Sequence, residues 1–522
     1  MRKFQLTTIA SLPRLAWCAR VEKGEQEVSV VCGPWVEGNT GFFCEGAWSG
    51  NYEQNDFPEA MTFTGTGGVI RGDGLVFCSP THTLQALFLL RLGNSILCSN
   101  SLAFLLQLAG DDIDGRYLHY DFDMMSIMHG LRDCRKHVPT RAGNRVYMHY
   151  HCNLAITPEL EIFEQPKTLP REFTDFGMYH AFLQDQVAAV ARNASDPARK
   201  VRYSLLTTIS SGYDSPACAV LGKAAGCAEA VTFRSARTGE DDSGRQIGEL
   251  LGLTVTEFDS RAYLQRTGSP EAEFVATGYG GDDVVMSVLE EVLPNRLLLT
   301  GYHGDKVWAP DAVATPYIER GDPSGASLGE FRLRVGFQNL PIPFVGCTRH
   351  ESIRRISNSP EMRPWSVGDI QYDRPIPRRI VEVAGVPRQL FGQKKKAIAR
   401  PYQTTGSHNP ELSRILSPDS DEEFRKFAEG RALFANFLER AGFVMMHRLY
   451  RFNFRIIRSV KLVALTRALG LKMPSKAIVP WKYSKPRTRH SLVFHWGYAK
   501  IRARYQFDVA DSPAPSSRVK SK

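Results

Sequence analysis

At 522 residues the chain is too long for one ordinary hydrophobic core, so two or more domains are expected. Its 43% hydrophobic and 23% charged residues lie in the globular range, and no run of 18 apolar residues marks a membrane span. Lys plus Arg number 65 against 55 Asp plus Glu, a net charge of +10 that favours anionic partners and leaves nucleotide, nucleic acid and anionic lipid all open.

Residues 1–165 read as short strands with turns and a helix or two. GGVIRGDGLVFCS (67–79) has two apolar runs around Gly-Asp-Gly, a hairpin signal. LQALFLLRL (84–92) and SLAFLLQLAG (101–110) are apolar enough to be buried, and NRVYMHYHCNLAIT (144–157) reads as one further strand. Alternation along that strand puts His149 and His151 on one face and Cys152 on the other, a poor zinc site and a better strand surface. TPELEIFEQPKTLPREF (157–173) reads as a linker between the halves. The ten cysteines show no CxxC pair, which predicts buried thiols in a reducing cytosol. No leader-like opening is present, and a cytoplasmic protein is expected.

From 175 the pattern alternates. YHAFLQDQVAAVARNA (179–194) has helical spacing; KVRYSLLTTISSG (200–212) is a strand entering a loop, and SPACAVLGKAAG (215–226) opens a helix. AEAVTFRS (228–235) and TVTEFD (254–259) are strands around the helical SGRQIGELLGL (243–253), and PNRLLLTGYHGD (294–305) is a fourth strand with a Gly-containing turn. Such alternation predicts βαβ units and a parallel sheet whose carboxyl-end loops bind ligand. Beyond 370 the segments 378–402, 422–443 and 455–471 read as helices, and the Ser/Pro/Lys tail from 508 as disordered. The boundaries expected are 1–165, 175–405, a basic helical extension over 406–507 and the tail 508–522.

The loop Ser210-Ser211-Gly212-Tyr213-Asp214-Ser215 is the candidate anion site. A strand, a Ser/Gly turn and a helix start aim N–H groups and hydroxyls at one point. GxxxxGK[ST] is absent, so this is no Walker A loop. Asp214 would repel a phosphate unless it holds Mg²⁺. An Asx-type helix start without ligand would also favour these residues.

The hexapeptide resembles the SGGxDS loop of the PP-loop ATP pyrophosphatases, and more narrowly the chain resembles the asparagine synthetase family. NSILCSNSLAFLLQL (94–108), HVPTRAGNRVY (137–147), LLLTGYHGDKVW (297–308) and YDRPIPRRIVEVAGVPRQLFGQKKKAIAR (372–400) follow the family's order over about residues 65–400. The resemblance implies an α/β protein: a degenerate Ntn-type αββα domain, then a PP-loop parallel-sheet domain with a helical C-terminal extension. It implies ATP and Mg²⁺ as cofactors and AMP-forming amide synthesis through an acyl-adenylate. Ser210, Gly212, Asp214 and Ser215 would take pyrophosphate, with Ser211 replacing a glycine. Asp214 and Asp305 would hold Mg²⁺, Val231 and Phe233 would meet adenine, and Lys395 or Lys396 would be the synthetase lysine. The second loop opens at Gly301.

Three departures stand out. Arg2 follows Met1 where the family's glutaminases have cysteine, and Cys18 is internal, so ammonia or another amine is expected rather than glutamine hydrolysis. Tyr302 and Lys306 stand where the family has glutamates, and His303 replaces a glycine; Tyr302 or His303 is the candidate proton acceptor, with His303 favoured because imidazole titrates near neutrality. Asp282 and Asp283 lie where the carboxylate substrate should bind, and would hold an amine, a second metal, or only cap a helix. Lys394 to Lys396 read equally as a solvated face. The basic segment 451–472 and WKYSKPRTRHS (481–491) suit either an anionic partner or a packed helix with solvated charges. Other amide-formers, such as a tailoring enzyme or peptide cyclase, a non-catalytic ATP-binding protein, and a homodimer all remain open.

Overall fold

The computed structural model describes residues 2–368, 372–396, 416–458 and 479–507. Over these residues the protein is mixed α/β with three sheets. Its first thirteen strands are β1 (Lys3–Thr8), β2 (Trp17–Glu22), β3 (Glu27–Cys32), β4 (Glu37–Gly38), β5 (Phe42–Trp48), β6 (Phe63–Arg71), β7 (Gly74–Cys78), β8 (Leu87–Leu92), β9 (Ser95–Ser99), β10 (His137–Pro139), β11 (Arg145–His149), β12 (Cys152–Ile156) and β13 (Ile162–Pro166). One sheet runs β1-β3-β2-β9-β8-β11-β10 and the other β13-β12-β7-β6-β5-β4, antiparallel except for the β1–β3 pair.

Period-two alternation builds the core between them. Trp17, Ala19 and Val21 of β2 face the same layer as Phe43, Leu75 and Phe77 of the second sheet. Trp17 sits 4.8 Å from Phe43 and 5.8 Å from Phe77, ring to ring. A fully buried Trp at such a junction stabilises by several kcal/mol, so its truncation costs about 3–5 kcal/mol. The expected hairpin is β6–β7, paired Arg71 with Gly74.

Two readings of this half need correction. The single strand expected over 144–157 is two strands in different sheets: His151, with φ 52°, turns the chain between β11 and β12. The expected linker contains β13, which pairs with β12 from Cys152↔Pro166 to Ile156↔Ile162. Its exposed Glu164, Gln165 and Pro166 masked a strand that lies at a sheet edge, where polar residues are tolerated. The corner brings His149, Cys152 and Glu164 ligand atoms within 4.8 Å of one another. His149 Nδ1 is already bonded to Glu164 at 2.7 Å, and burial pushes the Cys152 thiol up to about 12.

Helices α1 (Leu102–Ala109) and α2 (Tyr120–Met125) precede α3 (Phe176–Ala194), which is capped by Asp175 and leads into the third sheet. That sheet holds β14 (Ser204–Thr208), β15 (Glu229–Phe233), β16 (Thr254–Phe258), β17 (Arg296–Thr300) and β18 (Gln338–Pro341), all parallel in the order β16-β15-β14-β17-β18. Helices α4 (Asp214–Ala224) and α5 (Arg245–Leu250) connect the first three strands. The sheet is apolar on both faces, as a parallel sheet must be. Leu297 and Leu299 pack with Ala217, Cys218 and Leu221 of α4, while Leu206 and Leu298 pack with Phe274 and Phe331 on the other side. From β14 the chain winds outward to β16, then returns to β17 on the opposite flank. The β14 and β17 loops therefore part company at a topological switch point, where open α/β sheets bind ligands.

The remaining α-helices among the described residues are α6 (Ala272–Val275), α7 (Gly304–Val307), α8 (Gly329–Val335), α9 (His350–Ser357), α10 (Pro375–Val383), α11 (Pro418–Ala428), α12 (Phe437–Arg458) and α13 (Val493–Arg502). The helix expected over 378–402 ends at Val383, because Gly385 takes φ 92° and Pro387 follows. The one expected over 422–443 is broken at Gly430, φ 71°, between α11 and α12. Residues 455–458 are helical; the rest of the 455–471 segment and the 508–522 tail lie outside the described residues. Residues 493–505, grouped by sequence with a basic extension, pack inward: Phe494, Trp496, Ile501 and Tyr505 are buried, and Tyr505 donates to Glu330 at 2.6 Å.

Buried charges join the sandwich to the parallel sheet. Arg332 donates to both oxygens of Glu45, at 2.6 and 3.0 Å, and Arg199 to Glu37 at 2.6 Å. No helix among the described residues is long and apolar enough to cross a membrane. All ten cysteines are free and buried.

Candidate functional site

The loops after β14 and β17 open on one cavity of ≈ 250 Å³. Ser210, Gly212, Tyr213, Asp214, Ser215, Val231, Phe233, Gly301, Tyr302, His303, Asp305, Lys395 and Lys396 all line it. Ser211, the remaining candidate, lies behind the wall and braces it. Its hydroxyl donates to Asp242 Oδ1 at 2.7 Å and accepts from Lys396 Nζ at 2.9 Å.

The loop is held by its own polar groups. The hydroxyls of Ser210 and Ser215 are 2.9 Å apart, and Gly212 N–H donates to Ser210 Oγ at 3.2 Å. A Cβ on Gly212 would meet Ser210 Oγ at 3.4 Å and the Tyr372 hydroxyl at 3.7 Å, and would fill the cavity wall. Tyr213 anchors the turn from below, 1% exposed, with its hydroxyl bonded to Arg378 and its ring against Tyr372 and Phe391.

Asp214 begins α4, and two glycines of the β17 loop press on it. A Cβ on Gly301 would come within 2.9 Å of Asp214 Cβ, and one on Gly304 within 2.5 Å of Asp214 Cγ. Asp214 Oδ1 is buried with no hydrogen-bond partner. Burial first, and then Asp305, push its carboxyl up to about 7. Burial and Asp322 likewise raise Asp305. A hard divalent cation fits this pair: it takes carboxylate oxygens and removes the repulsion between them.

Cations flank the acids. Lys395 Nζ lies 3.6 Å from Asp305 Oδ2, and Arg374 donates to the Asp305 carbonyl at 3.0 Å. Lys396 also donates to the Asp241 carbonyl at 2.6 Å, whereas Lys394 pairs with Glu240 on the surface. The run of three lysines is thus divided: one solvated, one over Asp305, one pinned to the Ser loop. Gly392 N–H donates to the Ser211 carbonyl at 2.9 Å, and with φ 64° it leaves room for the Tyr213 ring. These contacts dock 391–396 along the loop.

The opposite end of the cavity is acidic. Asp283 is fully engaged: it accepts from Gly325 N–H at 2.8 Å, Ser327 N–H at 3.1 Å and Ser327 Oγ at 2.6 Å. It therefore braces the 325–327 turn and does not cap its own helix start. Asp282 is 8% exposed and faces the cavity, and burial followed by Asp283 and Asp322 pushes it up to about 7. Tyr302 is held protonated by burial and by Asp283. His303 takes φ 77° and stacks on Phe344 at 4.5 Å; burial and then Arg320 hold its imidazole well below the usual range. The expectation that His303 titrates near neutrality is thereby corrected: burial, then Arg320, hold its imidazole neutral.

Sequence reasoning missed Asp242, Asp322, Ser324, Tyr372 and Arg374, all of which line the cavity. They come from irregular loops without periodicity; of the five, Tyr372 and Arg374 fall in the segment 372–400 that carries the resemblance. Compared with known families and curated sequences, the chain matches no family model and no curated protein.

Proposed function

We propose that this protein is an ATP-dependent, AMP- and pyrophosphate-forming amide ligase of the asparagine synthetase type, built on a PP-loop domain with a degenerate Ntn-type amidotransferase domain as scaffold. One observation carries the reading: a hydroxyl-lined turn, an orphaned Asp214 carboxylate beside Asp305, and Lys395 and Lys396 converge on one cavity at a switch point. In this reading Val231 and Phe233 wall the adenine and the Ser210–Ser215 turn holds the β,γ-phosphates. Asp214 and Asp305 hold Mg²⁺, which when bound neutralises phosphate charge. A substrate carboxylate oxygen attacks the α-phosphorus and pyrophosphate leaves. Lys395 offsets the charge that develops there.

An amine nitrogen then attacks the acyl carbon, AMP leaves and one amine proton must be taken up. Tyr302 and His303 are poorly disposed to accept it; Asp282, with a carboxyl near neutrality, is the group we assign. The acidic end suits a substrate that brings an ammonium or amine. Ammonia or another amine serves as donor, since burial raises the thiol of every cysteine and leaves no ready thiolate for glutamine hydrolysis.

The test is pyrophosphate release with ATP, Mg²⁺ and a panel of carboxylates, with and without ammonium. Release that requires a carboxylate and yields AMP supports the reading. ATP binding without AMP formation across the panel would replace it with a nucleotide sensor.

A further inference from the structure

Charge is not spread evenly along this chain. Between Arg431 and Arg504 there are seventeen Lys and Arg and one acid, Glu439, whereas the other residues hold 48 cations and 54 acids. The chain's positive excess therefore resides in this one segment, and the remainder is net acidic.

Helix α12 displays that segment in an amphipathic form. Its inner side is anchored: Phe443 is 7% exposed, His447 Nδ1 bonds the Tyr483 carbonyl at 2.8 Å, and Glu439 pairs with Arg487 at 2.6 Å. Its outer side carries Phe437, Leu438, Val444, Met445, Leu449 and Phe452, exposed by 40 to 79%. At 100° per residue these six fall within about 140° of the helix circumference. Several of them line one open groove together with Arg440 and Arg448. Arg440, Arg448, Arg451 and Arg455 are exposed and follow one margin of the stripe. A soluble surface rarely leaves so many large apolar side chains contiguous.

We infer that α12 is a membrane-docking face that seats the protein on an anionic lipid bilayer. The apolar stripe enters the boundary between headgroups and acyl chains, and the arginines pair with lipid phosphates along its margin. Nucleic acid would use the cations but would leave Phe437, Leu438 and Phe452 in water. A self-association face would not need the flanking cations, which repel between copies. The inference is independent of the proposed ligase activity.

The experiment is vesicle flotation of the full chain. Vesicles of phosphatidylcholine alone are compared with vesicles rich in phosphatidylglycerol, at low and high salt. The protein is expected to float with the anionic vesicles, and weakly or not at all with the neutral ones. Leu449→Ser with Phe452→Ser, at exposed positions that leave the fold intact, should remove flotation. Arg448→Ala should weaken the partition about fivefold, the equivalent of one cation near an anionic surface. Flotation unchanged in the apolar double variant overturns the inference, as does failure to float with anionic vesicles. Concentration-dependent dimerisation, measured by sedimentation equilibrium and abolished by the same double variant, would also overturn it and assign the face to a second copy.

Discussion

Asp282→Asn tests whether the acidic end of the cavity is held at a cost to the fold. Asp282 is 8% exposed, and its carboxyl is pushed up to about 7 by burial, then by Asp283 and Asp322, with Lys485 and Arg237 acting in the opposite direction. An unfolded aspartate ionises near 4. The folded group binds its proton over a wider range, so its contribution to stability is full below about pH 4. It is lost progressively as pH rises to about 7. Three pH units at 1.36 kcal/mol each give about 4 kcal/mol, with the opposing pull of Lys485 and Arg237 already contained in the raised value. Asparagine has the same shape and no charge. The variant should match the wild type in urea unfolding near pH 4 and exceed it by up to about 4 kcal/mol near pH 8. In the pyrophosphate assay it should lose amine-dependent turnover while retaining ATP binding. A stability difference that does not change between pH 4 and pH 8 would refute the reasoning.

The other expectations concern the Ser210–Asp305 end of the cavity and the junction between the sandwich and the parallel sheet. Asp214→Asn and Asp305→Asn should each abolish Mg²⁺-dependent pyrophosphate release, and magnesium titration of the thermal shift with ATP should report the loss. Gly304→Ala should do the same without removing any ligand, since its Cβ would meet Asp214 Cγ at 2.5 Å and displace the carboxylate. Lys395→Ala should lower kcat by about 10²–10³, the scale for removing one charge-stabilising donor; Lys396→Ala should act mainly by loosening Ser211, and so should raise KM for ATP more than it lowers kcat. Arg332→Met should destabilise by about 3–5 kcal/mol by leaving Glu45 buried and unpaired, and Glu45→Gln with Arg332→Met should recover most of it, as read by denaturant unfolding.

The Ser210–Ser215 end of the site was legible because turn chemistry there is local. Ser, Gly and Asp between an apolar strand and a helical pattern can do little except turn the chain and present donors. The strand–helix alternation from 204 to 258 likewise follows from sequence periods alone. What escaped notice depends on contacts between distant segments. Asp322 and Arg374 reach the cavity from loops whose course is set by packing. Asp283 looked like half of an acidic pair, yet its acceptors are filled by residues 325 and 327, more than 40 positions away. His303 looked titratable because its sequence does not show Phe344 and Arg320 closing over it. The β11–β12 corner was read as one strand because residues 144–157 alternate without a glycine; the turn is made by His151 in a left-handed conformation that few non-glycine residues adopt.

The same contacts say what the sandwich does for the site. Glu45 comes from β5 and Arg332 from α8, the helix that follows the turn braced by Asp283. Ser101, the cap of α1, donates to Glu330, two residues before Arg332, and Tyr505 closes the same carboxylate from the last described segment. The strands of the sandwich and the end of the chain therefore fix α8 from two sides. Helix α8 in turn fixes the 325–327 turn, and that turn fixes Asp283, beside which Asp282 stays buried with its carboxyl raised. A free-standing parallel sheet would let that loop relax and hydrate the acid. Deleting the contact of Tyr505 with Glu330, by Tyr505→Phe, should leave the sandwich and the parallel sheet folded and reach the cavity only through this chain of contacts. Its expected signature is a downward drift of the Asp282-dependent limb in the pH profile of amine-dependent turnover, with ATP affinity unchanged; a profile superimposable on the wild type would show that the sandwich supports the fold without tuning the site.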